Sequence, residues 1–188
     1  MSERTAAFAP SVALNYDFSR MRMVADIGGG HATLITAILL AHPDLRGLVL
    51  DLPYVVPSAE AKIKAAGISD RCEVVAGDFF ESVPSGADCY ILANVLHDWN
   101  DERAIAILRN CRHAMRGGGR VLVVKRMIFA DPVQSVPTLL SDINMLVLTG
   151  DLERTRDEYL RLFEDADLRL TRVIPVLFPY GIFEGSEK

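Results

Sequence analysis

Met23-Val24-Ala25-Asp26-Ile27-Gly28-Gly29-Gly30-His31-Ala32 is the stretch that decides the fold. A short run, apolar but for Asp26, is stopped by three glycines, and Ala32 to Ala41 then follow with a helical pattern. Strand, glycine turn and helix in that order bring bare backbone beside a helix N-terminus, where free N–H groups and a positive dipole end can meet a ligand. A nucleotide-like ligand fits such a turn, and so does a tight turn that binds nothing. The dinucleotide fingerprint Gly-x-Gly-x-x-Gly would need its third glycine where Thr33 stands, so a nicotinamide dehydrogenase fits poorly.

Outward from this turn the same alternation continues. Gly47 to Asp51 reads as strand, Val56 to Ala66 as helix, Cys72 to Ala76 and Ala87 to Ala93 as strands, Asp101 to Met115 as helix and Arg120 to Met127 as strand. Apolar strands alternating with helices of this length imply a parallel sheet covered on both faces, a doubly wound α/β architecture. After Pro137 the rhythm changes to helices at about Thr138 to Leu148 and Thr155 to Ala166, then strands at Leu168 to Pro175 and about Pro179 to Glu184. The link Val176-Leu177-Phe178 is too short for a parallel crossover, so the last strand is predicted to run antiparallel. Residues 1–22 read as a polar tail leading into a short connecting helix, and 23–188 as one domain.

Composition bounds the partners. The 188 residues are half apolar and carry a net charge of −5, with no clustered Lys and Arg, which argues against nucleic acid or an anionic membrane and for a small ligand. Cys72, Cys89 and Cys111 are widely spaced without a Cys-x-x-Cys pair, so neither disulfides nor a metal site is expected, and a cytoplasmic location fits. The longest apolar-rich run, Leu34 to Ala41, is far below the ~20 residues that span a bilayer.

Further candidates fall at the strand ends. Asp51 ends the second strand about twenty residues after the glycine turn, where a carboxylate can accept both ribose hydroxyls, although it could equally cap the next turn. Gly77-Asp78-Phe79-Phe80 sets a carboxylate beside two rings; Asp78 could accept from an adenine amine and Phe79 could face the base, while Phe80 is as well explained by core packing. In Asn94-Val95-Leu96-His97-Asp98-Trp99, His97 is the one histidine placed for catalysis, because a neutral imidazole takes a proton near pH ~6.5. His31, His42 and His113 lie at a helix start, at a helix end and within a helix, where solvated or capping roles are expected.

Together these motifs, with Asp51-Leu52-Pro53, Asp142-Ile143-Asn144-Met145-Leu146 and Glu153-Arg154-Thr155, resemble the S-adenosylmethionine-dependent O-methyltransferases. That class I family includes plant caffeate and flavonoid enzymes, acetylserotonin enzymes and bacterial antibiotic-tailoring enzymes. The resemblance runs from about Asn15 to Gly185 and implies a Rossmann-like sheet of seven strands, mostly parallel, with an antiparallel last strand. It implies that Gly28, Gly29 and Gly30 hold the methionine part of S-adenosylmethionine, with Asp26 and Leu52 also among the cofactor-binding residues. Asp51 would take the ribose, Asp78 and Phe79 the adenine, with Ala93 at the strand end beside the cofactor. His97 would be the general base, oriented by Glu153, while Asn144 and Met145 would line a pocket for an aromatic or polyketide-type acceptor. No metal is implied.

Three departures from the family accompany the match. Ala32 stands where the loop usually has another glycine, and Lys125 where many relatives carry a glutamate behind the histidine. A lysine there disfavours the imidazolium that base catalysis creates unless Glu153 cancels its charge. The family's winged-helix-like N-terminal domain, which forms its dimer, has only its connecting segment here, so a homo-oligomer would have to form through apolar surface left uncovered. The competing reading is a domain that binds S-adenosylmethionine or S-adenosylhomocysteine with impaired or no catalysis.

Overall fold

The computed structural model describes residues 2–128 and 154–188. In chain order the elements are α1 (Ser2–Asn15), β1 (Met23–Ile27), α2 (Thr33–Ala41), β2 (Arg46–Asp51), α3 (Val56–Ala65), β3 (Cys72–Ala76) and β4 (Cys89–Ala93). A 3-10 turn (Leu96–Asp98) leads to α4 (Asp101–Ala114), β5 (Arg120–Arg126), α5 (Arg156–Asp165), β6 (Leu168–Leu177) and β7 (Tyr180–Glu187). Glu153, Asn144 and Met145, and the helix read at Thr138 to Leu148, lie outside the described residues.

The strands form one sheet in the order β3-β2-β1-β4-β5-β7-β6. Pairings among β1 to β5 are parallel, and β7 runs antiparallel to both β5 and β6. The predicted antiparallel last strand is therefore present, inserted between β5 and the edge strand β6. The order turns outward in opposite directions from β1 and β4, which makes the gap between them the switch point where doubly wound sheets open a crevice.

Side chains alternate across the sheet, as a period of two requires. Val24, Val49, Ile91, Leu122 and Ile182 join α1, α2 and α3 in one core, whereas Ala25, Leu48, Leu50, Leu92, Val123 and Phe183 pack with α4 and α5 on the other face. Each fully buried Leu or Ile contributes ~1.5–3 kcal/mol by leaving water, so both faces must be covered for the sheet to stand.

One expectation needs correction. The segment read as a polar tail leading into a short connecting helix is helical already from Ser2, as the 14-residue α1, and Phe8, Ala9, Val12 and Ala13, with Tyr16 and Phe18 after it, are buried against α2 and the sheet. Its apolar stripe is interrupted by Ser11 and Pro10, which hides the periodicity from a local reading.

Candidate active site

The carboxyl ends of β1 and β4 frame a cleft whose floor is the glycine turn and whose far wall carries Ala93, Asn94 and His97. Gly28 has φ 68°, and a Cβ there would lie 2.9 Å from Val95 Cγ2. A side chain at Gly29 would meet Asp26 Oδ2 at 2.9 Å. Both positions therefore need glycine for the backbone to pass between β1 and the cleft. Ala32 also sits in the left-handed region at φ 57°, where the missing family glycine would be less strained, yet its methyl is fully buried and accommodated. Ala32 at the N-cap offers no capping side chain to the first turn of α2, and the Ile35 amide of that turn faces Asp26 instead.

Asp26, at the end of β1, is 1 % exposed and lines the cleft. Neither of its carboxylate oxygens makes a hydrogen bond of standard geometry. Burial pushes its pKa up to about 7; the Ile35 backbone N–H opposes the rise and the negative charge of Asp51 adds to it. A buried carboxylate with so little compensation is costly to the fold, and a cationic ligand group would add to that compensation.

Asp51 ends β2 with both carboxylate oxygens engaged: Oδ2 accepts from the Gly30 amide at 2.7 Å and Oδ1 from the Leu52 amide at 2.8 Å. It thus ties the glycine turn to the neighbouring strand, uniting the cap and the ligand readings in one residue. Asp78 Oδ1 accepts from the Phe80 amide at 2.8 Å, which tightens the turn after β3. Phe79, Phe80 and Trp99 pack edge to face, and the Arg103 guanidinium lies 4.2 Å from the Phe80 ring centroid and 4.6 Å from that of Trp99. Phe80 is thereby committed to packing, while Phe79 reaches toward Gly28, its ring edge 3.5 Å from where a Cβ would stand.

His97 sits in the 3-10 turn and is 6 % exposed. Its Nδ1 contacts Lys125 Nζ, from a lysine 1 % exposed in β5. Its Nε2 is buried and lies 2.8 Å from Asp98 Oδ1, close enough for an ion pair but without hydrogen-bond alignment. The turn itself is fastened from behind. Arg154, also buried, donates from Nη1 to the Leu96 carbonyl at 2.7 Å, from Nη2 to the Trp99 carbonyl at 2.6 Å and from Nε to Asp101 Oδ1 at 2.9 Å. Thr155 next to it caps α5 in a reciprocal capping box with Glu158.

The structure brings Asp26, Gly28, Gly29, Gly30, Ala93 and His97 into one cleft, with Asp51, Leu52, Asp78 and Phe79 on the adjoining strand ends. Sequence reasoning missed Thr5, which reaches the cleft from α1, and Asn94, which lines it in a left-handed conformation at φ 55°. The position of Asn94 directly after a strand was a usable signal for the second; nothing local marked the first. His31 lies on the cleft rim, whereas His42 Nε2 contacts the Ala13 carbonyl at 2.9 Å and ties α2 to α1.

Residues 1–169 match the O-methyltransferase domain family, and the chain belongs to that family. It is 42 % identical over 181 residues to phenazine O-methyltransferase PhzM of Lysobacter antibioticus, covering 96 % of this chain and 53 % of that protein. Among solved structures, mitomycin 7-O-methyltransferase MmcR superposes with a TM-score of 0.94 at 40 % identity, covering 98 % of this chain and 54 % of that one. The neocarzinostatin-pathway O-methyltransferase NcsB1, solved with S-adenosylmethionine and 2-hydroxy-5-methyl naphthoic acid, has a TM-score of 0.91 at 36 % identity, covering all of this chain and 55 % of that one. The chain spans about half the length of these relatives. Among the described residues no helix is long and apolar enough to cross a membrane.

Proposed function

We propose that this chain binds S-adenosylmethionine in the switch-point cleft and directs methyl transfer to a hydroxyl of a small aromatic or polyketide-type acceptor. The observation that carries the reading is that the glycine turn, the buried carboxylate of Asp26 and His97 face one cleft. Residues 23–188 form the cofactor-binding unit, with 1–22 as its connecting segment. Gly28, Gly29 and Gly30 let the backbone approach the methionine part, and Asp26 gains a partner from its ammonium group. Asp51 and Leu52 take the ribose, Asp78 and Phe79 the adenine, and Ala93 leaves room at the end of β4. When bound, the cofactor supplies an electrophilic methyl group on a positively charged sulfur.

The chain's own residues position the acceptor and exclude water, which is where much of the rate in such a displacement arises. In this reading His97 removes the hydroxyl proton, Glu153 orients it, and Asn144 and Met145 line the acceptor side. A second reading, cofactor binding with impaired catalysis, is favoured by the contact of Lys125 with His97 Nδ1. Calorimetric titration with S-adenosylmethionine and S-adenosylhomocysteine tests the shared part. Saturable binding lost in Asp51→Ala and Asp78→Ala is expected, and no binding by the native chain would refute both readings. A methyl-transfer assay on hydroxynaphthoates and hydroxyphenazines then separates them.

The free, buried Cys72, Cys89 and Cys111 support a reducing, cytoplasmic setting. Leu14 and Leu40, exposed on the packed pair α1 and α2, support self-association, with sedimentation velocity across a concentration series as the check.

A further inference from the structure

His97 is carried by a short bridge between β4 and α4, and the two ends of that bridge are tied locally. At the entry the Asn94 N–H donates to the Val124 carbonyl at 3.1 Å, which continues the sheet; at the exit the Asn100 side chain accepts from the Arg103 amide at 3.0 Å and caps α4. Between them the Leu96 and Trp99 carbonyls are taken by Arg154, at 2.7 and 2.6 Å, from 58 and 55 residues further along the chain. The Leu96 carbonyl belongs to the same planar peptide unit as the His97 N–H, so the bond from Arg154 Nη1 fixes the plane from which the imidazole departs. A third bond, Nε to Asp101 Oδ1 at 2.9 Å, ties the same guanidinium to the first turn of α4. One side chain meets three acceptors because its donors lie in one rigid plane, which a lysine ammonium on a flexible stem does not reproduce. Arg154 is 5 % exposed and Leu96 1 %, so water has little access to this contact. Without Arg154 the buried Leu96 carbonyl would lose a charged partner, and the turn would have to move to hydrate it.

We propose that Arg154 is a positioning residue for the methyl transfer: by holding the carbonyls of Leu96 and Trp99 it fixes the peptide that carries His97, and so sets where the imidazole stands in the cleft. This inference rests on the methyl-transfer reading above and adds to it a residue outside the cleft lining. The base role given to His97 depends on reach. A hydroxyl proton is taken only within hydrogen-bond distance, and a displacement of about 1 Å can cost a hundredfold in rate. The groups around the ring, Lys125 at Nδ1 and Asp98 beside Nε2, decide which charges the imidazole meets. Arg154 decides where the ring starts. It also links the histidine to the adenine side, because Trp99, whose carbonyl it holds, packs edge to face on Phe80 at 4.7 Å and on Phe79 at 6.3 Å between ring centroids.

Two signals read the clamp with no cofactor present. Trp99 is the sole tryptophan of the chain, so its emission and its quenching by acrylamide report this turn alone. The ring signals of His97 in proton–carbon spectra are assigned by their loss in His97→Gln. In Arg154→Lys, which keeps a cation, and in Arg154→Ala, the quenching constant of Trp99 is expected to at least double and the His97 signals to shift. Guanidinium chloride below denaturing concentration, compared with sodium chloride of equal ionic strength, should return both signals toward native in Arg154→Ala and leave Arg154→Lys unchanged. Glu184→Gln, destabilised at the amino edge of the sheet, controls for lost stability and should move neither signal. In transfer assays with S-adenosylmethionine and hydroxynaphthoates, kcat should fall tenfold or more in both Arg154 variants while cofactor Kd stays within threefold. Native-like signals in both variants, the same shifts in Glu184→Gln, or no rescue by guanidinium would overturn the proposal, as would a loss confined to KM or to cofactor affinity. No transfer by the native chain would sink the methyl-transfer reading together with the catalytic consequence drawn from it, whereas spectra indifferent to Arg154 would sink the clamp alone, so the two failures are distinguishable.

Discussion

Two buried carboxylates, at opposite edges of one sheet, have been handled in opposite ways. Glu184 in β7 accepts from Tyr16 Oη at 2.8 Å, from Thr171 Oγ1 at 2.8 Å and from Arg172 Nη2 at 2.8 Å. Burial alone would raise its pKa, but the hydrogen bonds of Arg172, Thr171 and Tyr16 together outweigh that and hold it below the usual value. Asp26 in β1 has no such set and is pushed up to about 7. The amino edge has spent its polar groups on one another, and the carboxyl edge has kept one in reserve. A buried polar group left unmatched costs stability, and that cost is tolerated where a ligand completes it.

The sharpest way to break this comparison is the pH dependence of stability. The folded pKa of Asp26 lies above its ordinary value of 3.8, so between pH 3.8 and about 7 the native state keeps a proton that the unfolded chain has lost. Its contribution is therefore fully present below the lower value and fades as pH rises toward 7, by roughly 4 kcal/mol at most. In Asp26→Asn that decline should vanish from urea titrations between pH 4.5 and 7.5, and S-adenosylmethionine affinity should fall at least tenfold. An unchanged slope would show that the decline arises from other groups and that Asp26 is not held protonated by its burial. Glu184 has the opposite sign: its contribution is present above its ordinary value of 4.5 and lost as pH falls through the lower folded value.

Glu184→Gln should lower stability at pH 7 by ~2 kcal/mol, because Arg172 is half exposed and only part of its pairing is screened from water. Cofactor affinity should stay within twofold in the same titration. Gly28→Ala, which forces a methyl against Val95 at positive φ, is expected to cost ~1–2 kcal/mol and to weaken cofactor binding in calorimetry. Tyr16→Phe removes one hydrogen bond to Glu184 and should cost about 1 kcal/mol by thermal unfolding. If Tyr16→Phe proved more damaging than Glu184→Gln, the idea of a shared, redundant network at the amino edge would fail.

Much of the fold was legible because it is written locally. The run Met23 to Ile27, the glycines after it and the helical pattern to Ala41 are short-range signals, and the structure has β1, a turn with positive φ and α2 there. Strand-end residues such as Asp51 and Asp78 could be placed because doubly wound sheets always gather their carboxyl ends on one edge. The helix at the start is longer than the short connecting helix its sequence suggests, because its burial depends on α2 and the sheet rather than on its own pattern.

The sequence by itself determined the alternation of elements, the antiparallel ending, the glycine turn and the identity of the histidine near it. Each follows from neighbours within a few residues: backbone freedom, side-chain period and link length. Only the tertiary structure decided that Arg154 reaches back more than fifty residues to clamp the turn that holds His97, and that Thr5 lines the cleft. Those contacts depend on which strands lie side by side and how helices cross them, and such packing is set by the whole core at once rather than by any segment of it.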